Sequence, residues 1–437
     1  MKLNMRAFGI VAEYNPFHKG HKYQIDVARE LGATHVIAIM SPNFTQRGEP
    51  SILNKFDRAQ IAVKCGVDLV IELPTQYAIS SAEDFAFGAI YILNKLNIVS
   101  DLIFGVECEE ISVLNQISDM VETEIFRTSL IRELKKGLSF VVARELVLRD
   151  LMDIRKAHVV SRPNNILAIE YLKWLKRLKS KIKPIPLKRI GVDHDSEEIS
   201  GDIISGKQLR TIINDNYPID QWKKFVPNES LGIYEKALKK SIFPASEELG
   251  ERAVLAKFRS MSVEEIKELP DVTEGLEFRI SRSVKEADSL GNLFDRIKTK
   301  RYTMSRIKRI IYNGFLGITS DIFKVNPPFA RVLASNEKGV EIISVAKCIS
   351  TIPIDIDFKL LSHLNNVAKR FAEVENRATN LYGLFCPKIP MCNLDYILKF
   401  NIFNTDEAED KEDRLENINM NTINDIDSLE YSRREML

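Results

Sequence analysis

Four short apolar runs recur through the first hundred residues, each separated from the next by a segment of helix length. They are Ala7–Ala12, His35–Met40, Asp68–Leu73 and Asp101–Val106, with helical stretches at about Lys22–Leu31, Lys55–Cys65 and Ala82–Leu96 between them. A strand covered on both faces reads as a continuous apolar run rather than an alternation. Strands and helices in strict turn read as βαβ units. The pattern predicts an α/β chain built on a Rossmann-like, doubly wound parallel sheet. Ligands on such sheets bind beyond the carboxyl ends of the strands, so the segments that follow the runs are where function is sought.

The remaining chain divides by pattern. About 109–178 is helical, with apolar residues three and four apart, such as Leu148, Leu151 and Met152. Pro184 and Pro186 interrupt that helical pattern, Ile185–Ile190 reads as a fifth strand, and Ser205–Asn214 reads as a helix. The expected organisation is a catalytic domain over 1–220 with a helical insertion at about 109–178, a helical region over 221–325, a small mixed α/β element over 326–405 and an acidic tail over 406–437. In the mixed element the alternating, β-branched Val340–Val345 reads as strand. The tail carries eleven acidic and four basic residues.

Composition adds exclusions. The 437 residues, 45% hydrophobic and 28% charged, suit a soluble chain of two or three domains. No run approaches the length of a membrane span, and the N-terminus lacks the regions of a signal peptide, so a cytoplasmic location without membrane contact is expected. Cys65, Cys108, Cys348, Cys386 and Cys392 are scattered and odd in number, which fits a reducing compartment better than a disulfide framework. No metal site is expected from them.

The first run leads directly into Asn15-Pro16-Phe17-His18-Lys19-Gly20-His21. Gly20 allows a tight turn, and a helix opens behind it. A helix start offers unpaired N–H groups and partial positive charge, which suits a polyphosphate. Two imidazoles in this position can donate to an α-phosphate as charge grows on it, favouring the transition state over the ground state. An isolated four-residue motif would more often be ordinary loop and helix; the strand before it and the helix after it turn the reading to adenylyl transfer, with His18 and His21 as the catalytic pair.

The run Gly9–His21 resembles the opening of the bacterial tRNA(Met) cytidine acetate ligases, within the nucleotidyltransferase superfamily that also holds class I aminoacyl-tRNA synthetases. So do Gln46–Pro50, Val67–Pro74, Phe104-Gly105, Pro163–Leu167 and Lys298–Thr303, in family order from residue 5 to about 390. The resemblance implies an ATP-dependent enzyme that makes acetyl-adenylate from acetate and acetylates N4 of the wobble cytidine of elongator tRNA(Met). It implies that ATP lies on Val11, Ala12, Glu13, Tyr14, Asn15, Pro16, Phe17, His18, Lys19, Gly20, His21, Lys22, Tyr23 and Gln24, and on Gly105, Asn164 and Arg189. Gly105 is equally readable as a strand-to-helix turn, Asn164 as a helix N-cap and Arg189 as a solvated strand end. Mg²⁺ is expected with the nucleotide, although no acidic cluster marks its ligands. One departure concerns the superfamily's second phosphate motif: Ile204–Arg210 keeps Ser205 and Arg210, but Gly206 and Lys207 replace small hydroxyl residues. Lys207 can still meet a phosphate as a point charge.

Two basic stretches are candidates for the tRNA. Lys173–Arg189 has eight Lys and Arg, no acid and Trp174; Arg279–Arg309 has ten against Glu286, Asp288 and Asp295, with Tyr302 inside. Cations interleaved with an aromatic suit backbone contacts and base stacking, while charge runs are commonly solvated helix faces. Lys298, Lys300, Arg301, Arg306 and Arg309 are the chosen candidates. Two other readings remain: a cofactor-forming adenylyltransferase acting on a small phosphorylated metabolite, and a non-catalytic RNA-binding protein on a synthetase-like fold. No protein partner is implied.

Overall fold

A computed structural model describes residues 5–108, 110–152, 158–189, 204–273 and 275–398. The acidic tail expected over 406–437 lies outside the described residues. The strands are β1 (Ala7–Ala12), β2 (His35–Met40), β3 (Leu69–Glu72), β4 (Val99–Val106), β5 (Lys183–Lys188), β6 (Ala330–Ser335) and β7 (Ile354–Asp355). They form one sheet in the order β5-β4-β1-β2-β3-β6-β7. The pairs β1–β2, β1–β4, β2–β3 and β4–β5 are parallel, and β6 runs antiparallel to β3.

The apolar runs are continuous because both faces are covered. Ala7, Ile37, Ile39, Leu69 and Ile71 enter one buried cluster, while Phe8, Ile10, Val36, Ala38, Met40 and Val70 enter the other. Successive strand residues point to opposite faces, so each run feeds both cores. From β1 the chain winds outward through β2 and β3, then crosses back to β4 on the other side. The direction of winding reverses between β1 and β4, and their carboxyl ends open a crevice there.

Two expectations need correcting. The fifth strand, expected from Ile185, begins at Lys183, so Pro184 and Pro186 lie within it and pair with Leu102 and Phe104. The strand stands at the edge of the sheet, where a missing N–H leaves no ladder bond unmade. Val340–Val345 is not strand but part of a helix, Glu337–Ile349. Ile342 and Ala346, four apart, form its buried face, and Asn336 caps it by accepting from Gly339 N–H at 3.0 Å. The strand β6 pairs antiparallel with β3 of the main sheet. A buried ionic cluster closes this edge: Arg331 of β6 reaches Glu72 of β3 at 3.0 Å, and Lys55 reaches Glu72 at 2.5 Å and Asp395 at 2.7 Å.

Between β4 and β5 the helices Ile111–Met120, Glu124–Lys135, Phe140–Leu151 and Pro163–Arg177 form the insertion. Pro163–Arg177 carries three of the eight cations of the first basic stretch, and all three are paired internally. Lys173 pairs with Glu83 at 3.0 Å, Lys176 with Asp119 at 2.5 Å and Arg177 with Glu122 at 2.7 Å. Trp174 packs on Phe87 with ring centroids 4.6 Å apart and donates to the Glu83 carbonyl. These groups serve packing. In the helical region beyond 221, Met304–Phe315 buries Ile307, Ile310, Ile311 and Phe315 along one stripe.

Candidate active site

The chain leaves β1 at the crevice and turns into the helix Lys19–Glu30, with His18 as its N-cap. The His18 Nδ1 accepts the Gly20 N–H at 3.0 Å, and the His21 Nδ1 accepts the His18 N–H at 3.2 Å. Two imidazoles thus build the reciprocal cap that a hydroxyl and a carboxamide or carboxylate ordinarily make. An Nδ1 that accepts carries no proton, so each ring holds its proton on Nε2. The rings stack, with centroids 3.8 Å apart and planes 23° from parallel. Burial pulls His18 down to about 3, with Arg189 and Arg210 adding to the effect. Burial likewise holds His21 well below the usual range, helped by His18 and Arg189. Both are neutral donors near pH 7.

A second helix start meets the first. Ser205 caps Gly206–Asn214 by accepting from the Gln208 N–H. A Cβ on Gly206 would stand 3.4 Å from the Asn15 carbonyl oxygen and 3.8 Å from the His18 ring. Arg210 donates to that Asn15 carbonyl at 2.8 Å and lies 3.3 Å from Glu49. Glu49 belongs to the Gln46–Pro50 segment, whose Gln46 N–H donates to the Glu13 carboxylate at 2.7 Å. Gly48 has φ +70°, and its Cα faces the backbone of Lys308 and Arg309. Buried Arg58 braces the arrangement from below, donating to the carbonyls of Glu13, Ser41, Pro42 and Leu53.

Across the crevice, Gly105 lies in β4 beside Leu187, and a Cβ there would come within 3.3 Å of the Arg189 side chain. Arg189 donates to the Asn164 side-chain oxygen at 3.3 Å, and the Asn164 amide donates to Glu107 at 2.6 Å. Asn164 is not the N-cap of its helix; Arg162 holds that position. Its neighbour Asn165 is the buried structural residue, accepting the N–H groups of Glu107 and Cys108.

These elements enclose a cavity of about 740 Å³. Val11, Ala12, Glu13, Tyr14, Asn15, His18, Gly20, His21, Tyr23 and Gln24 line it, with Gly105, Asn164, Arg189, Ser205, Lys207 and Arg210. Pro16 and Phe17 are buried beneath it, and Lys19 and Lys22 stand off its wall, Lys22 paired with Asp26. Arg301, Arg306 and Arg309 line the same cavity, whereas Lys298 and Lys300 are exposed outside it. The phosphate candidates and three of the RNA candidates therefore share one space.

The HIGH Nucleotidyl Transferase family model matches residues 5–393. A tRNA(Met) cytidine acetate ligase of Clostridium kluyveri is 39% identical over 416 residues, covering 90% of this chain and 98% of that one. One from Acetivibrio thermocellus is 37% identical over 400 residues, covering 88% and 96%. The chain belongs to the tRNA(Met) cytidine acetate ligase family. The crystal structure of Thermotoga maritima TmcAL superposes with a TM-score of 0.86 at 28% identity, over 91% of this chain and 100% of that one. The same protein bound with alpha-thio ATP gives 0.85. The resemblance read from the motifs thus extends along the described chain.

Within this family member, sequence reading missed Arg58, whose buried role nothing local announces. It missed Phe140, Arg144 and Tyr171, which line the cavity from the insertion. It noted Gln46–Pro50 without a role. Among the described residues, no group of three or more His, Cys, Asp and Glu is placed to hold a metal ion, and no helix is long and apolar enough to cross a membrane.

Proposed function

We propose that the chain is an ATP-dependent, AMP-forming ligase that acetylates N4 of the wobble cytidine of elongator tRNA(Met). The observation that carries the reading is the pair of capping imidazoles, His18 and His21, whose Nε2–H groups are free of the cap bonds in a cavity at the switch point of the sheet. The comparisons with family members support the substrates.

In the first step a carboxylate oxygen of acetate attacks the α-phosphorus of ATP, and pyrophosphate leaves. The imidazoles, the starts of Lys19–Glu30 and Gly206–Asn214, and Lys207 face the phosphates; His18 and His21 donate to the oxygens on which charge grows. Neutral rings keep these donors from forming an ion pair with ground-state ATP that the transition state would not improve. Gly105, Asn164 and Arg189 take the adenosine side. In the second step the cytosine N4 attacks the acetyl carbonyl, loses a proton and displaces AMP. Acetate alone would have to expel oxide, and the conjugated amine is a weak nucleophile, which is why an anhydride is needed.

No carboxylate cage for Mg²⁺ stands among the described residues. A Mg²⁺ ion accompanying ATP would supply neutralisation of phosphate charge. Lys298 and Lys300 outside the cavity, and Arg301, Arg306 and Arg309 within it, are assigned to tRNA. The reaction belongs in the cytoplasm with the tRNA.

The test incubates pure protein with ATP, labelled acetate and an elongator tRNA(Met) transcript, or without RNA. N4-acetylcytidine and AMP are expected. Pyrophosphate exchange with no RNA product would replace the acceptor, and no ATP consumption under any condition would end the enzymatic reading.

A further inference from the structure

The residues assigned to ATP leave part of the cavity wall without a ligand, and that part has an unusual composition. Phe140 opens the helix Phe140–Leu151 and lines the cavity, yet is 51% exposed. Arg144, one turn along the same face, lines it too and is only 8% exposed. The guanidinium carbon lies 5.7 Å from the centroid of the Phe140 ring. Among the described residues its Nη2 donates to the Val160 carbonyl at 3.1 Å, and the buried Nε has no partner there. No carboxylate oxygen among the described residues lies within 4 Å of it, although Glu145 and Glu170 stand near enough to favour its charge.

A buried cation with no ion pair is expensive unless an anion comes to it. The polyphosphate is already met at the two helix starts by His18 and Ser205. Acetate would use the cation but has no need of an exposed aromatic face. A nucleotide of a single strand uses both, since its base stacks on an aromatic ring and its phosphate meets a cation. We propose that Phe140 and Arg144 form the acceptor subsite, with the reacting cytosine stacked on the Phe140 ring and an adjoining phosphate held by Arg144. This rests on the ligase reading above. Arg306, on the α-helix Met304–Phe315, lines the same cavity and also has a buried Nε without a partner. The base thus enters a cavity whose lining carries Phe140, Arg144 and Arg306 together.

The subsite separates the two half-reactions. Phe140→Ala, Phe140→Trp and Arg144→Gln are compared with the parent in acetate-dependent ATP–pyrophosphate exchange without RNA, and in single-turnover transfer to the tRNA transcript. Phe140→Ala is expected to keep exchange within about twofold and to slow transfer about tenfold or more, from the loss of one base–aromatic stack. Phe140→Trp should restore transfer, a result that a purely structural role would not produce. Arg144→Gln should keep the KM for acetate in exchange and weaken transfer. The proposal is overturned if transfer by Phe140→Ala equals the parent's, if exchange falls in parallel with transfer, or if Arg144→Gln raises the KM for acetate, which would make Arg144 the anchor of the acid. A parent protein that shows no exchange at all would end the ligase reading itself, and the subsite with it.

Discussion

The His18 and His21 rings stack with centroids 3.8 Å apart while each gives its Nδ1 to a backbone N–H of the same helix start. Capping therefore occupies one nitrogen of each ring and leaves the opposite one for the donation proposed above. The cap fixes the tautomer and aims the donor, and neither task requires charge.

This division makes the two roles separable by substitution. Asparagine caps helices well but has no donor in the place of Nε2. His18→Asn should leave unfolding free energy within about 1 kcal/mol of the parent and lower acetate-dependent pyrophosphate exchange about 100-fold or more. Equal losses of stability and activity would assign His18 to structure alone.

The pH dependence of stability has a definite sign. His18 is held at about 3 in the folded protein against an ordinary 6.5. As pH falls below 6.5 the unfolded chain takes up a proton that the folded site refuses. Stability of the ligand-free protein should fall between about pH 6.5 and 3, by at most about 1.4 kcal/mol per pH unit for this imidazole. Denaturant unfolding at pH 7, 6 and 5 should show a smaller loss in His18→Asn than in the parent.

Gly48 joins the site to the helical region. Its φ of +70° disfavours any side chain, and a Cβ would lie 2.5 Å from the Arg309 nitrogen and 2.7 Å from the Lys308 carbonyl carbon. Backbone cannot move aside cheaply. Gly48→Ala should cost about 1–3 kcal/mol and lower transfer to tRNA, since Glu49 and Arg309 move with it. A melting temperature equal to the parent's would contradict the contact.

Asp395 bonds Lys55 and Arg331 in the buried cluster at the β6 edge. Removing it leaves two buried cations sharing Glu72. Asp395→Ala should destabilise by about 3–5 kcal/mol in urea unfolding, without changing the pH profile of exchange, because the cluster lies off the cavity lining.

What the sequence determined by itself was local. The covering of both sheet faces is written into uninterrupted apolar runs, and the His-x-Gly-His pair is a helix cap whose partners are two and three residues apart. Both can be read from neighbours in the chain. The tertiary structure decided everything that depends on distant partners. The prolines of β5 are tolerated because that strand has no outer neighbour, and Val340–Val345 folds as helix because Ile342 and Ala346 bury together. Trp174, Lys173, Lys176 and Arg177 face acids and apolar rings of other elements. Arg58, Glu49 and Arg144 carry no local signature, since a charged residue's role follows from whether folding leaves it buried and what stands beside it. Those are properties of pairs far apart in sequence, and only the folded chain brings them together.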